Sequence, residues 1–510
     1  MGKLDIVLVK PGSQKALYGE LSAFNLTAIE PPLWGALLAA VLRDQGYSVE
    51  LFDAEVENWD TEETARRISE IRPTLAAVVV SGTNPSASTM NMTGVGMILR
   101  SLKTIAPDIK TLLTGLHPSA LPERTLREEE VDFVCEGEGF YTIPRLLAAL
   151  KAGDKDYPIQ GLWYKKDGNV VSNQRAPLFD PLDDLPMPAW DLLPMKKYRA
   201  HNWHCFKNID ARQPYAVIYT SLGCPFKCSF CCIHALFGKS GIRYRSPERV
   251  IEEIDCLVKN YNVRNIKILD EMFALNEAHV SRFCDLIIER GYDLNMWAYA
   301  RVNTVNERML SKMKRAGIHW VAYGFESGSK KVLAGVTKGY NLDKVNEVVK
   351  MTYDQGLYIC ANFIFGLPED DYDSMQATLD LAVQINAEWA NMYGATAYPG
   401  SQLYEEALRR GWPLPSTWQG YSPYGYETLP LPTVHLGGPE VLRFRDKAFQ
   451  LYFSRPEYLE MIERKFGPDT ARHIREMAFH RLKRKFGSQG VDEMEPIKDV
   501  HTSSYGQPAH

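Results

Sequence analysis

The chain has few cysteines for its length, little net charge and no long apolar run. Nine cysteines among 510 residues are far too few for a disulfide scaffold. A formal net charge of −5 argues against nucleic acid as the default partner. No apolar run reaches the roughly 18 residues of a membrane span, and residues 1–6 lack a signal-peptide pattern. We therefore expect a cytoplasmic protein without a transmembrane segment.

The length of the chain predicts several domains, because a single hydrophobic core stops growing well below 510 residues. The hydrophobic fraction of 45% is ordinary for a globular protein. We expect an N-terminal domain, a connector with a hairpin and a proline-rich stretch, a second α/β domain, a helical C-terminal domain and a disordered tail. Their predicted bounds are residues 1–155, 156–205, 206–404, 405–487 and 488–510.

The first 150 residues alternate short apolar strands with helical patterns. Such alternation predicts a doubly wound parallel sheet, of the flavodoxin-like kind, with strands at 4–9, 48–52, 75–80, 110–114 and 131–135. Ligands of these sheets bind beyond the carboxyl ends of the strands. The loops there are rich in glycine, serine and threonine, which suits a ligand-binding edge but also suits ordinary turns.

A second strand–helix alternation begins at residue 215. The predicted strands are 215–220, 265–269, 295–301, 320–325, 358–365 and 389–397, with helices between them. Six such units indicate an open (β/α)6 barrel. The loops at the carboxyl ends of the strands carry the chemistry in parallel barrels.

A cysteine triplet follows the first of these strands. Cys224, Cys228 and Cys231 form a Cx3CxFC motif. Three thiolates on one loop can bind three irons of a [4Fe–4S] cluster and leave the fourth iron open to a small molecule. The alternatives are free thiols or a zinc site, which normally needs a fourth ligand at characteristic spacing. Cys232 and His234 are near but cramped for that purpose.

The motif, with Phe230 before the last cysteine, resembles the signature of the radical S-adenosylmethionine (AdoMet) superfamily. The resemblance implies that AdoMet binds the open iron. An electron from an external reductant of the flavodoxin or ferredoxin kind then splits it to methionine and a 5′-deoxyadenosyl radical. The later strand ends also resemble the family's AdoMet-binding shell, although each motif alone could be a structural turn. The implied AdoMet-binding residues are Phe230, Asp270, Glu271, Arg301, Glu326, Ser327 and Gly366.

The N-terminal domain resembles the cobalamin-binding domain of cobalamin-dependent radical SAM enzymes. The shared features are the Pro-Pro-Leu-Trp-Gly start of a helix at 31–35, the Gly-x-His-Pro turn at 115–118 and the Gly-Glu-Gly segment at 137–139. No Asp-x-His-x-x-Gly follows the first strand, which implies cobalamin bound base-off and His-off. Leu116 stands where the family commonly has a second glycine. Trp34 either caps the lower face of the cobalt or is buried in the packing of its helix. The implied cobalamin-binding residues are Ser81, Gly82, Thr83, Gly115, Gly137, Glu138 and Gly139.

The C-terminal region is helical and rich in aromatic residues. It either closes the mouth of the barrel over a substrate pocket or only packs against it. Apolar residues four apart over 474–486 predict an amphipathic helix. The opposite side of that helix is basic, which indicates a solvated face or, less simply, an acidic substrate or a membrane surface.

Together these features predict a cobalamin-dependent radical SAM methyltransferase that acts on an unactivated carbon of a small-molecule metabolite. A non-methylating radical oxidation, cyclisation or rearrangement is the alternative, and a non-catalytic cobalamin or cluster sensor is a further one. A methylthiotransferase is disfavoured because Cys135 is the single cysteine of the first domain. The sequence singles out no general acid or base, and it indicates neither the substrate nor the oligomeric state.

Overall fold

The computed structural model describes residues 4–12, 27–81 and 88–486. Its N-terminal part is a seven-stranded sheet with helices on both faces. The strands are β1 (Ile6–Lys10), β2 (Val49–Asp53), β3 (Leu75–Val80), β4 (Lys110–Gly115), β5 (Phe133–Cys135), β6 (Leu162–Lys166) and β7 (Asn169–Ser172). The helices are α1 (Leu33–Asp44), α2 (Thr61–Ile71), α3 (Met92–Ile105), α4 (Leu116–Ala120), α5 (Pro122–Glu128) and α6 (Thr142–Ala152).

Strands β1 to β5 are parallel, in the order β2-β1-β3-β4-β5. This confirms the predicted doubly wound sheet. The hairpin β6–β7, which we assigned to the connector, instead extends the sheet antiparallel to β5. Its turn at Asp167 and Gly168 has positive φ at both residues, as tight hairpins require. The hairpin pairs the backbone groups that β5 would otherwise leave exposed at the sheet edge.

Helix α1 is buried on nearly all sides, from Leu33 to Leu42. An all-apolar helix of this kind lies between two layers rather than at a surface. One layer is the sheet, and the other is the proline-rich connector, whose Ala189 backbone N–H donates to the Ala36 carbonyl. The residues that begin α1 are therefore held rigidly at the junction between the two sheets.

The second sheet has six parallel strands in the order β15-β14-β13-β12-β11-β8. Since β8 and β15 are not paired to each other, the barrel is open, as the six strand–helix units predict. The strands are β8 (Tyr215–Ile218), β11 (Asn265–Ile268), β12 (Asn295–Ala300), β13 (Ile318–Glu326), β14 (Tyr358–Phe365) and β15 (Trp389–Gly394). A short ribbon, β9 (Ser221–Leu222) with β10 (Arg243–Tyr244), flanks the cysteine loop.

Helices follow the barrel strands and cover their outer face. They are α7 (His234–Phe237), α8 (Pro247–Tyr261), α9 (Glu277–Arg290), α10 (Glu307–Arg315), α11 (Lys330–Gly335), α12 (Val345–Asp354), α13 (Tyr372–Ile385) and α14 (Gln402–Arg410). Several of them begin at side-chain caps, for example Asn276 before α9 and Asp371 before α13. These caps fix where each strand-to-helix loop ends at the mouth of the barrel.

The C-terminal helices cover the free edge of β15. They are α15 (Gly438–Ser454), α16 (Pro456–Phe466) and α17 (Pro468–Phe479). Tyr452 donates to the Ala387 carbonyl and Arg445 to the Met392 carbonyl, so side chains satisfy backbone groups that no strand pairs. No helix among the described residues is long and apolar enough to cross a membrane.

The predicted amphipathic helix over 474–486 is wrong beyond Phe479, where α17 ends. Residues 480–486 are not helical, and Arg484, expected on a solvated face, has a buried side chain. It binds Asp446 and three acceptors on residues 423–428. These charge-assisted hydrogen bonds outweigh the local helical preference. The tail expected to be disordered, residues 488–510, lies outside the described residues.

Candidate active site between the two sheets

A cavity of about 950 Å³ lies between the carboxyl edges of the two sheets. Strand ends from the N-terminal sheet form one wall, and the cysteine loop with the barrel interior forms the other. Carboxyl edges of parallel strands are where ligands bind in both architectures. The predicted residues that line the cavity are Ser81, Gly115, Cys224, Cys228, Phe230, Cys231, Glu271, Arg301 and Glu326.

Hydrogen bonds to backbone carbonyls fix the conformation of the cysteine loop. The Cys224 carbonyl accepts from the Gly241 N–H at 3.1 Å and from His234 Nε2 at 2.9 Å, and the Cys231 N–H donates to the Cys228 carbonyl. His234 thus positions a cysteine of the triplet. All three thiols are free and half-buried.

Burial raises the pKa of Cys224 to about 11 and that of Cys231 to about 12. The protein alone therefore favours neutral thiols at this loop, and a bound cation is what makes thiolates stable there. Within the described ranges, no three His, Cys, Asp or Glu side chains converge closely enough to hold a single metal ion. Three thiolate donors on one loop suit an iron–sulfur cluster.

Arg301, at the end of β12, faces the cysteine loop. Its Nη1 lies 3.4 Å from Cys228 Sγ, and its guanidinium lies 3.8 Å from the centre of the Phe226 ring. Only 3% of Arg301 is exposed. A cation at this position compensates negative charge that develops on the thiols or on a bound carboxylate.

Glu326 ends β13 in an unusual backbone conformation, with φ +61°. Left-handed backbone at a residue other than glycine is costly and tends to occur at functional sites. Its carboxylate binds Lys338 Nζ at 2.5 Å in a pair that is almost fully buried. Arg301 Nη2 also donates to the Lys338 carbonyl, so these residues form one connected network.

Sequence reasoning missed Lys338. Its ammonium group lies 5.9 Å from the centre of the Phe230 ring, the aromatic residue of the cysteine motif. The residue follows α11 in a Val-Thr-Lys-Gly segment, a pattern typical of an exposed turn. Only the partnership with Glu326, twelve positions earlier, reveals that this lysine is buried.

The structure separates the two carboxylates at the end of β11, which we expected to face AdoMet together. Glu271 lines the cavity and accepts from the Gly223 N–H at 3.0 Å, and burial raises its pKa to about 8. Asp270 is fully buried and does not line the cavity. It accepts from Thr220 and Ser221, so it holds the chain that leads into the cysteine loop.

Ser327 and Gly366 also lie behind the cavity wall. Ser327 Oγ is 3.2 Å from Thr378 Oγ1, and Gly366 donates its N–H to Asp370. A Cβ built on Gly366 would collide with Val441 of α15, so this glycine allows the C-terminal helix to approach. The structure thus gives both residues packing contacts rather than a place on the cavity surface.

At the N-terminal sheet, Ser81 and Gly115 line the cavity. Gly115 has φ +120°, and a Cβ there would collide with the Val80 carbonyl oxygen. Glycine is therefore required at the end of β4, and it leaves open space at the carboxyl edge. Leu116 also lines the cavity. Gly82 and Thr83 lie outside the described residues.

The Gly-Glu-Gly segment at 137–139 does not line the cavity. Glu138 instead pairs with Arg243 of β10 and accepts from the Phe179 N–H, while its carbonyl accepts from the Trp34 indole at 3.2 Å. The segment joins the N-terminal sheet to the barrel. Trp34 itself lines the cavity, and its ring lies edge-on to Tyr219.

The two edges of the cavity fit the iron–sulfur cluster and the cobalamin that the family resemblance implies. Three thiols and a buried cation stand at the barrel mouth, and the strand edge formed by Ser81 and Gly115 faces them across the cavity. The cavity volume is that of a site for cofactor-sized ligands. The two edges belong to one space, so ligands bound at each would meet there.

Comparisons with known proteins agree with this division. A B12 binding domain model matches residues 22–147, and a radical SAM superfamily model matches residues 218–382. An uncharacterized methyltransferase of Pyrococcus horikoshii is 31% identical over 460 residues, covering 90% of this chain and 94% of its own. An anaerobic magnesium-protoporphyrin IX monomethyl ester cyclase of Rubrivivax gelatinosus is 27% identical, covering 74% of this chain and 66% of its own.

Solved structures share the fold. The radical S-adenosylmethionine methyltransferase TsrM of Kitasatospora setae, with cobalamin and a [4Fe-4S] cluster bound, superposes with a TM-score of 0.63 at 19% identity. The match covers 80% of this chain and 78% of TsrM. The two-sheet arrangement is therefore an established one.

Proposed function

This chain belongs to the cobalamin-dependent radical SAM enzymes, and we propose that it methylates an unactivated carbon of a small-molecule substrate. Its cofactors are a [4Fe–4S] cluster, AdoMet and cobalamin. The observation that carries the proposal is the single cavity that joins the cysteine loop to the carboxyl edge of the N-terminal sheet. Methyl transfer to carbon needs both cofactor sites to reach one substrate atom.

The cofactors supply the difficult chemistry when bound: an AdoMet-derived radical for hydrogen abstraction and a methyl group carried by cobalamin. The protein's own residues bind and orient the cofactors. In our proposal Cys224, Cys228 and Cys231 bind the cluster, and Arg301 places a positive charge beside it. The buried pair of Glu326 and Lys338 keeps the AdoMet side of the cavity rigid.

We propose that Phe230, Glu271, Arg301 and Glu326 contact AdoMet, since these members of the predicted set line the cavity. We propose that Ser81 and Gly115 contact cobalamin. Gly82 and Thr83, which follow Ser81 in the sequence, belong to the same proposed set. Aromatic side chains such as Trp297, Tyr299 and Tyr393 complete the wall and exclude water from reactive species. A cytoplasmic flavodoxin or ferredoxin would supply the electron.

A second candidate is a radical cyclisation or oxidation without methylation. The similarity to the Rubrivivax gelatinosus cyclase over 74% of this chain favours it. The two candidates share the cofactors and differ in the fate of the substrate radical. Only products distinguish them, because the fold supports both.

The test is anaerobic reconstitution with iron, sulfide and cobalamin, followed by reaction with methyl-deuterated AdoMet and candidate substrates. Methylation predicts a product heavier by one deuterated methyl group, with both 5′-deoxyadenosine and S-adenosylhomocysteine formed. A substrate-dependent release of 5′-deoxyadenosine without S-adenosylhomocysteine would support the second candidate and refute the first.

Cluster binding is tested separately by alanine substitution of each cysteine of the triplet. The wild type should hold about four irons per chain, and Cys224→Ala, Cys228→Ala and Cys231→Ala should each lose most of them. Cys232→Ala is the matched control, because this cysteine is adjacent but buried away from the loop surface. Iron retention in all three triplet variants would contradict the proposed ligand set.

A further inference from the structure

Two buried arginines share one carboxylate at the C-terminal side of the cavity. Arg445 Nη1 lies 2.7 Å from Asp446 Oδ1, and Arg484 Nε lies 2.9 Å from Asp446 Oδ2. Each arginine side chain is only 4% exposed. Burial opposes ionisation of Asp446, but the two arginines outweigh it and hold its pKa below the ordinary value. Among the residues that the structure describes, the cluster therefore carries one positive charge more than Asp446 neutralises.

The two arginines differ in what their remaining donors bind. Arg484 also donates to the carbonyls of Gly425 and Pro423 and to Thr428 Oγ1, so its hydrogen-bonding capacity is used within the protein. Arg445 donates through Nε to the Met392 carbonyl and through Nη1 to Asp446. The Arg445 side chain lines the cavity, and its guanidinium lies 5.8 Å and 5.3 Å from the centres of the Tyr424 and Phe449 rings.

A buried, uncompensated cation is unfavourable unless a ligand neutralises it. The surroundings suit a ligand: Tyr424 and Tyr393 line the same wall and are hydrogen-bonded to each other, while exposed Lys447 and Arg481 stand at its edge. We propose that Arg445 anchors an acidic group of the substrate, a carboxylate or a phosphate. This inference rests on the proposed function and gives the substrate class as an organic acid.

The fold also sets where Arg445 lies relative to the cysteine loop. Arg445 is fixed to Met392 of β15, and Ala395, three residues later, packs in one apolar cluster with Phe230 of the cysteine loop. An extended chain rises about 3.3 Å per residue, so Met392 and Ala395 lie about 10 Å apart along the direction of β15. The space between them has aromatic walls. The cavity therefore suits a substrate whose acidic end lies at Arg445 and whose apolar part extends toward the cysteine loop.

The test uses unreactive probes on the full-length, reconstituted enzyme. Calorimetric titration compares 3-phenylpropionate and benzyl phosphate with the neutral 3-phenylpropionamide. At least one of the two acids should bind about tenfold or more tightly than the amide, and the preferred acid identifies the anion. Equal affinity for acids and amide, including no measurable binding of any probe, would overturn the inference.

Variants connect the preference to the arginine. Arg445→Gln should lower acid affinity about tenfold and leave amide affinity unchanged, whereas Arg445→Lys should retain part of the preference. Asp446→Asn should strengthen acid binding, because it removes the shared negative charge, an increase that a merely structural role does not predict. Arg472→Gln, on the exposed face of α17, is the matched control. Undiminished acid binding by a folded Arg445→Gln variant would refute the anchor.

The probes do not react, so this result is independent of turnover. Failure to form S-adenosylhomocysteine would refute methyl transfer and leave the acid site standing. Loss of the acid preference, together with normal methylation of another substrate, would refute the acid site and leave methyl transfer standing.

Discussion

Arg301 Nη1 lies 3.4 Å from Cys228 Sγ, so a permanent cation faces one thiol of the cysteine triplet. Removing this charge should stabilise the oxidised form of a bound cluster. We expect Arg301→Gln to shift the cluster's reduction potential to a more negative value, by on the order of 50 mV. Redox titration followed by electron paramagnetic resonance measures the shift. Arg308→Gln, at an exposed arginine on α10, controls for the loss of one positive charge. An unchanged reduction potential in Arg301→Gln would contradict the electrostatic role of Arg301 beside the cluster.

The pair of Glu326 and Lys338 is buried, with side chains 9% and 7% exposed. Lys338→Met leaves the carboxylate buried and unpaired, which should cost about 3–5 kcal/mol of unfolding free energy. Replacing both residues with apolar ones should cost clearly less, because neither charge is then left alone. Urea unfolding of the single and double variants gives the coupling energy. The exposed pair of Lys350 and Asp354 is the control, for which the same changes should cost about 0–1 kcal/mol.

Gly115 and Gly153 both have positive φ but different surroundings. A Cβ on Gly115 would collide with Val80, whereas a Cβ on Gly153 would meet nothing within 4 Å. Gly153→Ala should cost only the backbone strain, about 1–2 kcal/mol. Gly115→Ala should cost more and should also lower the corrinoid retained after reconstitution. Thermal unfolding and absorption spectroscopy measure the two effects. Equal stability losses with full corrinoid content in both variants would argue against a close-packed cofactor edge at Gly115.

His117 is buried beside the same edge. Its Nδ1 lies 3.1 Å from Thr89 Oγ1, its ring packs edge-on against Trp418, and its Nε2 has no hydrogen-bond partner among the described atoms. Burial lowers its pKa to about 3, and the nearby Arg124 adds to this effect. The imidazole therefore stays neutral in the folded protein over a range in which the unfolded chain is protonated.

The sign of the pH effect follows from this difference. Between about pH 6.5 and pH 3 the unfolded state binds the extra proton, so stability falls as the pH falls. At pH 5 the loss from His117 should be about 2 kcal/mol relative to pH 7. His117→Asn should remove that part of the decline in denaturant unfolding, and His435→Asn, at an exposed histidine, is the control. A decline of equal size in both variants would contradict the assignment.

The sequence was sufficient for most of the strands and helices, and a family resemblance indicated the cofactors. Strand and helix alternation depends on local periodicity, and the Cx3CxFC spacing places three thiols on one loop whatever the rest of the chain does. For that reason the parallel sheet, the open barrel and the cysteine loop could be predicted from local pattern, whereas the cobalamin-binding character came from the resemblance of segments such as 115–118 to a known family.

Tertiary structure decided which side chains reach the cavity. Asp270 and Glu271 are neighbours, yet one holds the strand end and the other faces the site, because adjacent side chains leave the backbone in different directions. Lys338, which lies in a turn-like segment, is a buried partner of Glu326, and Arg484 of the basic stretch at 480–486 joins a buried arginine cluster. Buried charges are stabilised by groups distant in sequence, so local pattern does not reveal them. The sequence by itself determined most of the elements and, through its resemblance to a family, the cofactor class, whereas the distribution of charge around the substrate space came only from the folded chain.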